Sequence, residues 1–369
     1  MSESARQLHA APPMGVFNVT SGGSLLLADL LTEPGASATV LAAAVPYAES
    51  AQNQLIGKNP HSACSAGTAR ALAMAAWQQA TELNPGQSNL FGFGCTAALA
   101  TNRPKRGDHR VHLAVQTQTT TNTLSFVFDK TDTDRLREET QIVELAYLLL
   151  QETLGFELAA ARAQEMLAQS IIKSAAKPNW QALYTGELRA TADTNSARNP
   201  GLLMPGSFNP LHKGHTAMAA HAAQLYNQPV DFELSVHNVD KPSLDYQDLR
   251  VRTQQFSEAT LWLTGLPTFL EKSREFPQVT FVVGADTARR IGQEKYYANN
   301  HAMHSAIDEM ANLGVNFLVF GRSRAADFYT LADLDLPPAL AKLCVEVSEA
   351  DFRLDLSSTE LRRDQQKNP

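Results

Sequence analysis

Two histidines three residues apart, His212 and His215, lie close to two glycines in the run Leu202-Leu203-Met204-Pro205-Gly206-Ser207-Phe208-Asn209-Pro210-Leu211-His212-Lys213-Gly214-His215. The apolar start reads as a buried strand, broken at Pro205-Gly206. An apolar-periodic helix (Met218, Ala222, Leu225) begins just after Gly214. A strand that empties into a helix start suits an anion, because the first amides of the helix have no internal partner and its dipole favours negative charge. His212 and His215 fall on the same side of the first turn, and Gly206 and Gly214 let the backbone approach a phosphate closely. The run lacks the Gly-x-x-x-x-Gly-Lys-Ser/Thr pattern, so it does not imply a P-loop.

The elements around this run alternate strand, helix, strand. Val230 to Val236, Val279 to Val283, Phe317 to Phe320 and Val345 to Val347 read as strands with helices between them. That pattern predicts a doubly wound α/β domain with a Rossmann-like parallel sheet, its ligand crevice beyond the carboxyl ends of the strands. Other features converge on the crevice. Phe281-Val282-Val283-Gly284-Ala285-Asp286 is a strand end carrying an acidic residue, which could equally cap the next helix. In Leu354-Asp355-Leu356-Ser357-Ser358-Thr359-Glu360-Leu361-Arg362, Ser357 and Glu360 fit a capping box. The hydroxyls of Ser358 and Thr359 and the Arg362 guanidinium then share one helix start, a second phosphate cradle. Lys241, in Asp240-Lys241-Pro242, stands ahead of Arg250 and Arg252, and Arg322 and Arg324 follow the Phe317 strand; each is a substrate-phosphate candidate or a solvated charge.

The histidine run resembles the Gly-x-Phe-x-Pro-x-His-x-Gly-His signature of the nucleotidylyltransferase superfamily, which includes the nicotinamide and nicotinate mononucleotide adenylyltransferases. Every fixed position is present, as Gly206, Phe208, Pro210, His212, Gly214 and His215. Gly284-Ala285-Asp286 resembles the strand end at which those enzymes contact the nucleotide, and Ser357-Ser358-Thr359-Glu360-Leu361-Arg362 resembles their Ile-Ser-Ser-Thr-x-Ile-Arg motif. The resemblance implies catalytic roles for His212, His215 and Arg362. It implies nucleotide contacts at Gly206, Ser207, Phe208, Gly214, Gly284, Asp286, Ser357, Ser358 and Thr359; Lys241, Arg250 and Arg322 stand as the substrate-binding candidates read from the residues themselves. Mg²⁺ would arrive with ATP, without a carboxylate cage of its own. The implied reaction moves AMP from ATP to nicotinamide or nicotinate mononucleotide. The alternatives are another phosphate acceptor, of the cytidylyl or pantetheine-phosphate type, and a nucleotide-binding sensor without turnover. An Arg-Thr-x-Gly-Ile-Ser-Thr-Thr run expected of cytidylyltransferases is missing, and His212 stands where pantetheine-phosphate enzymes usually have Thr.

The N-terminal half repeats the strand–glycine turn–helix pattern. Met14 to Thr20 reads as a strand, Ser21-Gly22-Gly23-Ser24 as the turn and Leu25 to Leu31 as a helix. This unit suits an anion site or simply a tight turn. Thr39 to Val45, Leu90 to Thr96, Val111 to Gln118 and Thr119 to Phe128 read as strands and Ala66 to Leu83 as an Ala-rich helix. Ser21-Gly22-Gly23, Glu33-Pro34-Gly35-Ala36-Ser37, Val45-Pro46-Tyr47 and Gly92-Phe93-Gly94 resemble the CinA C-terminal domain, the nicotinamide-nucleotide amidase fold. The nucleophilic serine of that family aligns with Val19 and its lysine with Gln52. Valine has no lone pair to attack an amide and glutamine is no base, so the resemblance implies an amidase-like domain without hydrolysis. Ser21 and Ser24 read as turn or capping residues.

Asp132 to Leu154 and Leu158 to Ala175 read as connector helices. The organisation expected is an amidase-like domain with connector over 1–175, a linker over 176–200 and a nucleotidylyltransferase domain over 201–369. The composition, 44% hydrophobic and 19% charged, is that of a globular chain. A net charge of −7 argues against a nucleic-acid partner, which needs a basic face. Three scattered cysteines give no disulfide framework and point to a reducing compartment. With neither a secretory leader nor a membrane-length apolar run, the expectation is a cytoplasmic protein whose partners are small nucleotides. The short tail after Arg363 bears on oligomer contacts, and the sequence leaves a homo-oligomer open.

Overall fold

A computed structural model describes residues 3–11, 13–57, 60, 62–103, 105–131, 134–159, 167–192, 199–239, 242–324 and 327–353. The first elements are α1 (Glu3–His9), β1 (Met14–Thr20), α2 (Ser24–Thr32), β2 (Val40–Ala44), α3 (Glu49–Leu55), α4 (Ala66–Leu83), β3 (Leu90–Ala98), β4 (Arg110–Thr117) and β5 (Thr120–Val127). Next come α5 (Arg135–Leu154), β6 (Ile172–Ala175), α6 (Pro178–Thr185), β7 (Ala190–Ala192), β8 (Leu202–Pro205), α7 (Lys213–Tyr226), β9 (Val230–Ser235), α8 (Tyr246–Thr253), β10 (Leu261–Thr264) and α9 (Phe269–Glu275). The last are β11 (Thr280–Gly284), α10 (Ala285–Ile291), α11 (Asn300–Asn312), β12 (Asn316–Phe320), β13 (Arg322–Arg324), β14 (Asp327–Tyr329), α12 (Pro338–Ala341) and β15 (Cys344–Val347). The chain divides into two compact units, Met1–Gln181 with Asp240–Leu249, and Ala182–Val239 with Arg250–Pro369.

The first unit is built on a six-stranded sheet in the order β2-β1-β3-β4-β5-β6. β1 pairs in parallel with β2 and β3, and the strands from β3 onward pair antiparallel. Small residues set how closely α4 approaches the sheet. A Cβ on Gly92 would lie 2.1 Å from the Ala73 carbonyl oxygen, and one on Gly94 2.2 Å from that of Ala69. Glycine on the strand facing alanine on the helix is what lets the two backbones meet. The main core is formed by Phe17, Val19, Leu26, Phe91, Phe93, Leu113 and the buried stripe Ile142, Leu145, Ala146 and Leu149 of α5. α5 is therefore part of this core and not a connector.

The expected helix over 158–175 does not reach its end. Ile172–Ala175 is β6, paired with Thr120–Thr123. An Ala-rich window favours helix locally, but β5 offers an open edge whose backbone groups need partners, and the ladder prevails. Residues 242–249 also belong to this unit. There Asp245 and Asp248 accept from Arg70 at 3.0 and 2.7 Å, and the buried Tyr246 donates its hydroxyl to the Gln118 carbonyl at 2.6 Å.

The second unit holds a seven-stranded sheet in the order β15-β12-β11-β8-β9-β10-β7, parallel except for β7. β8 lies at its centre, between β9 and β11. The chain runs outward from β8 through β9 and β10, then crosses to β11 and runs outward on the other side. Where that direction reverses, loops following neighbouring strands diverge and leave a crevice. The segment after β8 carries residues 206–215 into the first turn of α7, and Asp286 stands in the first turn of α10 directly after β11, so topology brings the histidine run and the acidic strand end to one edge. Phe281, Phe317, Val283 and Val319 pack with Ile307 and Met310 of α11 beneath it. β7 and α6 lie in the stretch expected as a linker; β7 pairs with β10, a strand the sequence reading passed over. Among the described residues no helix is long and apolar enough to cross a membrane.

Candidate active site

The loop after β8 is fixed from three directions. Gly206 donates its amide to the Glu233 carbonyl of β9 at 2.9 Å. A Cβ on Gly206 would lie 2.6 Å from the ring of Phe208, so the position holds glycine for space. Phe208 has a φ of 41°, in the left-handed region that a bulky side chain enters at a cost of about 1–3 kcal/mol. Burial supplies the compensation: its ring is 1% exposed and meets the rings of Phe232, Phe256 and His215 edge-on at 5.5, 5.1 and 5.2 Å. From behind, the buried Arg252 donates to the Ser207 carbonyl at 2.9 Å. Gln255 donates to the Phe208 carbonyl at 2.9 Å and accepts from the Leu211 amide at 2.8 Å.

His212 and His215 form a reciprocal cap at the start of α7. His212 is the N-cap, and its Nδ1 accepts from the Gly214 amide at 3.1 Å. His215 Nδ1 accepts from the His212 amide at 3.3 Å. The two rings stack 3.8 Å apart at 24°. A backbone amide can only donate, so both Nδ1 atoms present lone pairs and the ring proton of each histidine sits on Nε2. His215 stays neutral because burial, then the charges of His212 and Arg322, push its pKa down to about 4 from an ordinary 6.5. The result is a stacked imidazole pair, with His215 neutral, at a helix start whose own dipole favours anions.

Next to this cap, Asp286 follows β11. Its Oδ2 accepts from Arg322 Nη1 at 2.8 Å, and its Oδ1 from Tyr329 at 2.5 Å and from Arg289 Nη2 at 3.1 Å. Since Arg322 is also one of the charges felt by His215, this cluster and the histidine cap address the same region. A Cβ on Gly284 meets nothing within 4 Å.

The structure thus brings together Gly206, Ser207, Phe208, His212, Gly214, His215, Gly284, Asp286 and Arg322. Arg250 is in α8, where its carbonyl accepts from Thr253 and Gln254. Lys241, Ser357, Ser358, Thr359 and Arg362 lie outside the described residues. Tyr329, Arg289 and Gln255 have no counterpart in the sequence reading. Among the described residues no group of three or more His, Cys, Asp or Glu could hold a metal ion.

The second strand–glycine turn–helix unit, in the N-terminal half, has different surroundings. Gly23, with a φ of 91°, donates its amide to the buried Glu139 carboxylate at 2.9 Å. Arg135 donates to the Ser21 carbonyl at 3.0 Å, and the neighbouring Glu138 accepts from the Ala100 amide at 2.6 Å and meets His109 Nδ1 at 2.6 Å. Neither serine caps α2, whose N-cap is Gly23 without a side-chain bond. Val19 faces the main core, 1% exposed, and Gln52 is buried with its amide donating to the Ala63 carbonyl at 3.3 Å.

Residues 203–364 match the family model described as cytidylyltransferase-like. Among solved structures, the competence/damage inducible protein CihA from Agrobacterium tumefaciens is 22% identical, covering 40% of this chain and 92% of its own, at a TM-score of 0.33. A CinA superfamily protein from Klebsiella pneumoniae is 19% identical, covering 42% of this chain and 94% of its own, at a TM-score of 0.34. No match was found among curated proteins. The later half of the chain carries a cytidylyltransferase-like domain of the nucleotidyltransferase superfamily.

Proposed function

We propose that this domain is an adenylyltransferase that moves AMP from ATP to nicotinamide or nicotinate mononucleotide, releasing pyrophosphate. The observation that carries the reading is the stacked His212–His215 cap at the start of α7. In the reaction a phosphate oxygen of the acceptor forms a bond to the α-phosphorus of ATP as the bond to the β-phosphate breaks. The attacking phosphate is already anionic, so the chain need supply no general base. Its task is to hold two anions together and to stabilise charge on the equatorial and leaving oxygens. His212 and His215 donate to the triphosphate through Nε2–H. Ser358, Thr359 and Arg362, by their motif, hold its outer phosphates. Arg322 is assigned a positive charge for a phosphate, and Lys241 and Arg250 are assigned to the acceptor. Mg²⁺ would come as the partner of ATP, held by phosphates and water, and would neutralise part of the tail's charge.

The choice of acceptor rests on the resemblance of Gly284-Ala285-Asp286 to the mononucleotide enzymes. The N-terminal unit points the same way, since its motifs resemble a family that recognises nicotinamide mononucleotide. With Val19 packed in the core and Gln52 bonded to a carbonyl, that unit is assigned recognition without hydrolysis. The test is purified protein with ATP, Mg²⁺ and a panel of phosphate acceptors, following pyrophosphate and product. A dinucleotide formed from the mononucleotide, with no ammonia released, is the expected result. Turnover only with another acceptor would replace the substrate assignment, and nucleotide bound but never consumed would leave a sensor.

A further inference from the structure

We infer that Asp286 and Tyr329 are positioning residues that hold the Arg322 guanidinium for a phosphate group, and that Asp286 does not itself meet the nucleotide. The inference rests on the nucleotidyl-transfer reading of this site. Its basis is where the Asp286 carboxylate is spent. Oδ2 takes Arg322 at 2.8 Å, and Oδ1 takes the Tyr329 hydroxyl at 2.5 Å and Arg289 at 3.1 Å. A carboxylate offers about four acceptor positions, and two of these three donors are cations. Three of those positions are filled and the carboxylate charge is already balanced by guanidinium groups, so at most one position, in competition with two cations, is left for a ribose hydroxyl.

Arg322 and Tyr329 reach this carboxylate as a cross-strand pair. They stand directly opposite each other in the register of β13 and β14, so one short antiparallel strand pair delivers both. The Arg322–Asp286 pair is partly exposed, at 41% and 35%, and such a pair alone is screened and fixes geometry weakly. Tyr329 adds a third bond without adding charge. Burial, then the bond to Asp286, pushes its phenol up to about 12, so it remains a donor at any working pH. Asp286 engages Arg322 through Nη1, and a guanidinium has five N–H donors, enough to hold a carboxylate and a phosphate at once. The Arg322 charge also helps depress the His215 pKa, which places guanidinium and imidazole within electrostatic range of each other.

The test is pyrophosphate binding to the full chain by calorimetry, with thermal midpoints as the control for folding. Arg322→Gln should weaken binding about tenfold, and Tyr329→Phe and Asp286→Asn by roughly three- to fivefold. The double variant Tyr329→Phe/Arg322→Gln should be no weaker than Arg322→Gln alone, because Tyr329 acts only through Arg322. Arg322→Lys, which keeps the charge and loses the fork, should recover part of the affinity. Wild-type affinity in Tyr329→Phe and Asp286→Asn, or losses that add in the double variant, would overturn the positioning role alone. A wild-type protein that does not bind pyrophosphate would remove the nucleotidyl-transfer reading beneath it.

Discussion

The chain contains two strand–glycine turn–helix units, residues 14–32 and 202–226, built on the same local logic. Each follows a buried strand, and each forces one non-glycine residue into left-handed backbone, Ser21 at a φ of 63° and Phe208 at 41°. They differ in what stands against the turn. In the first, the Gly23 amide already has an anion, the Glu139 carboxylate of α5, and Arg135 grips the Ser21 carbonyl. In the second, Arg252 and Gln255 hold the loop by its carbonyls from behind, and two imidazoles cap the helix. On the proposed function, the pattern is left open to an outside anion only where the chain does not bring its own. That choice is made by residues far away in sequence, Glu139 in one case and Arg252 and Gln255 in the other.

The largest effect that would break this comparison is at the histidine cap. His215→Ala removes one phosphate donor and the acceptor for the His212 amide, and transfer should fall about 10²- to 10³-fold with the fold retained. Turnover unchanged in steady-state kinetics would show that the second turn is no more a working site than the first. Glu139→Ala should act on stability instead. It leaves the buried Gly23 amide without its acceptor and should cost about 1–3 kcal/mol in denaturant unfolding, with Glu139→Gln losing less and turnover holding in both. A stability equal to wild type would mean that the carboxylate does not close the first turn.

The smallest effect is on pH. With the folded His215 pKa near 4 and its ordinary value 6.5, the unfolded chain takes up the proton first as pH falls. Its contribution to stability is therefore complete above about pH 6.5 and is lost progressively toward pH 4. Protonation of Nδ1 would also break the bond from the His212 amide. Ring-proton NMR should place the His215 midpoint near 4; a midpoint near 6.5 would remove the burial argument for a neutral donor.

Much of the fold was legible where periodicity and punctuation agree. β1 and α4 begin and end where the sequence reading puts them, and the strands around Leu202, Val230, Phe281, Phe317 and Val345 all exist. Elements fixed by tertiary need were not. β6 is helical by composition and a strand by pairing, and the three-residue β7 has meaning only against β10. In the site, the histidine run and Asp286 could be read because each sits in a local motif. The Asp286 carboxylate also accepts from Arg289, an i,i+3 pair that helix spacing could have signalled, and from Arg322 and Tyr329, 36 and 43 residues away, which nothing near it signals. Gln255 escaped for the same reason, holding a loop more than forty residues upstream by bonds to backbone atoms, which leave no mark on side-chain identity.

The central claim is that a phosphate tail settles on the second turn and not the first. Amide NMR of the full chain titrated with pyrophosphate tests it directly. Shifts of the Gly214 and His215 amides, with Gly22 and Gly23 unmoved, are the predicted result; shifts at Gly22 and Gly23, with the α7 start unmoved, would contradict it.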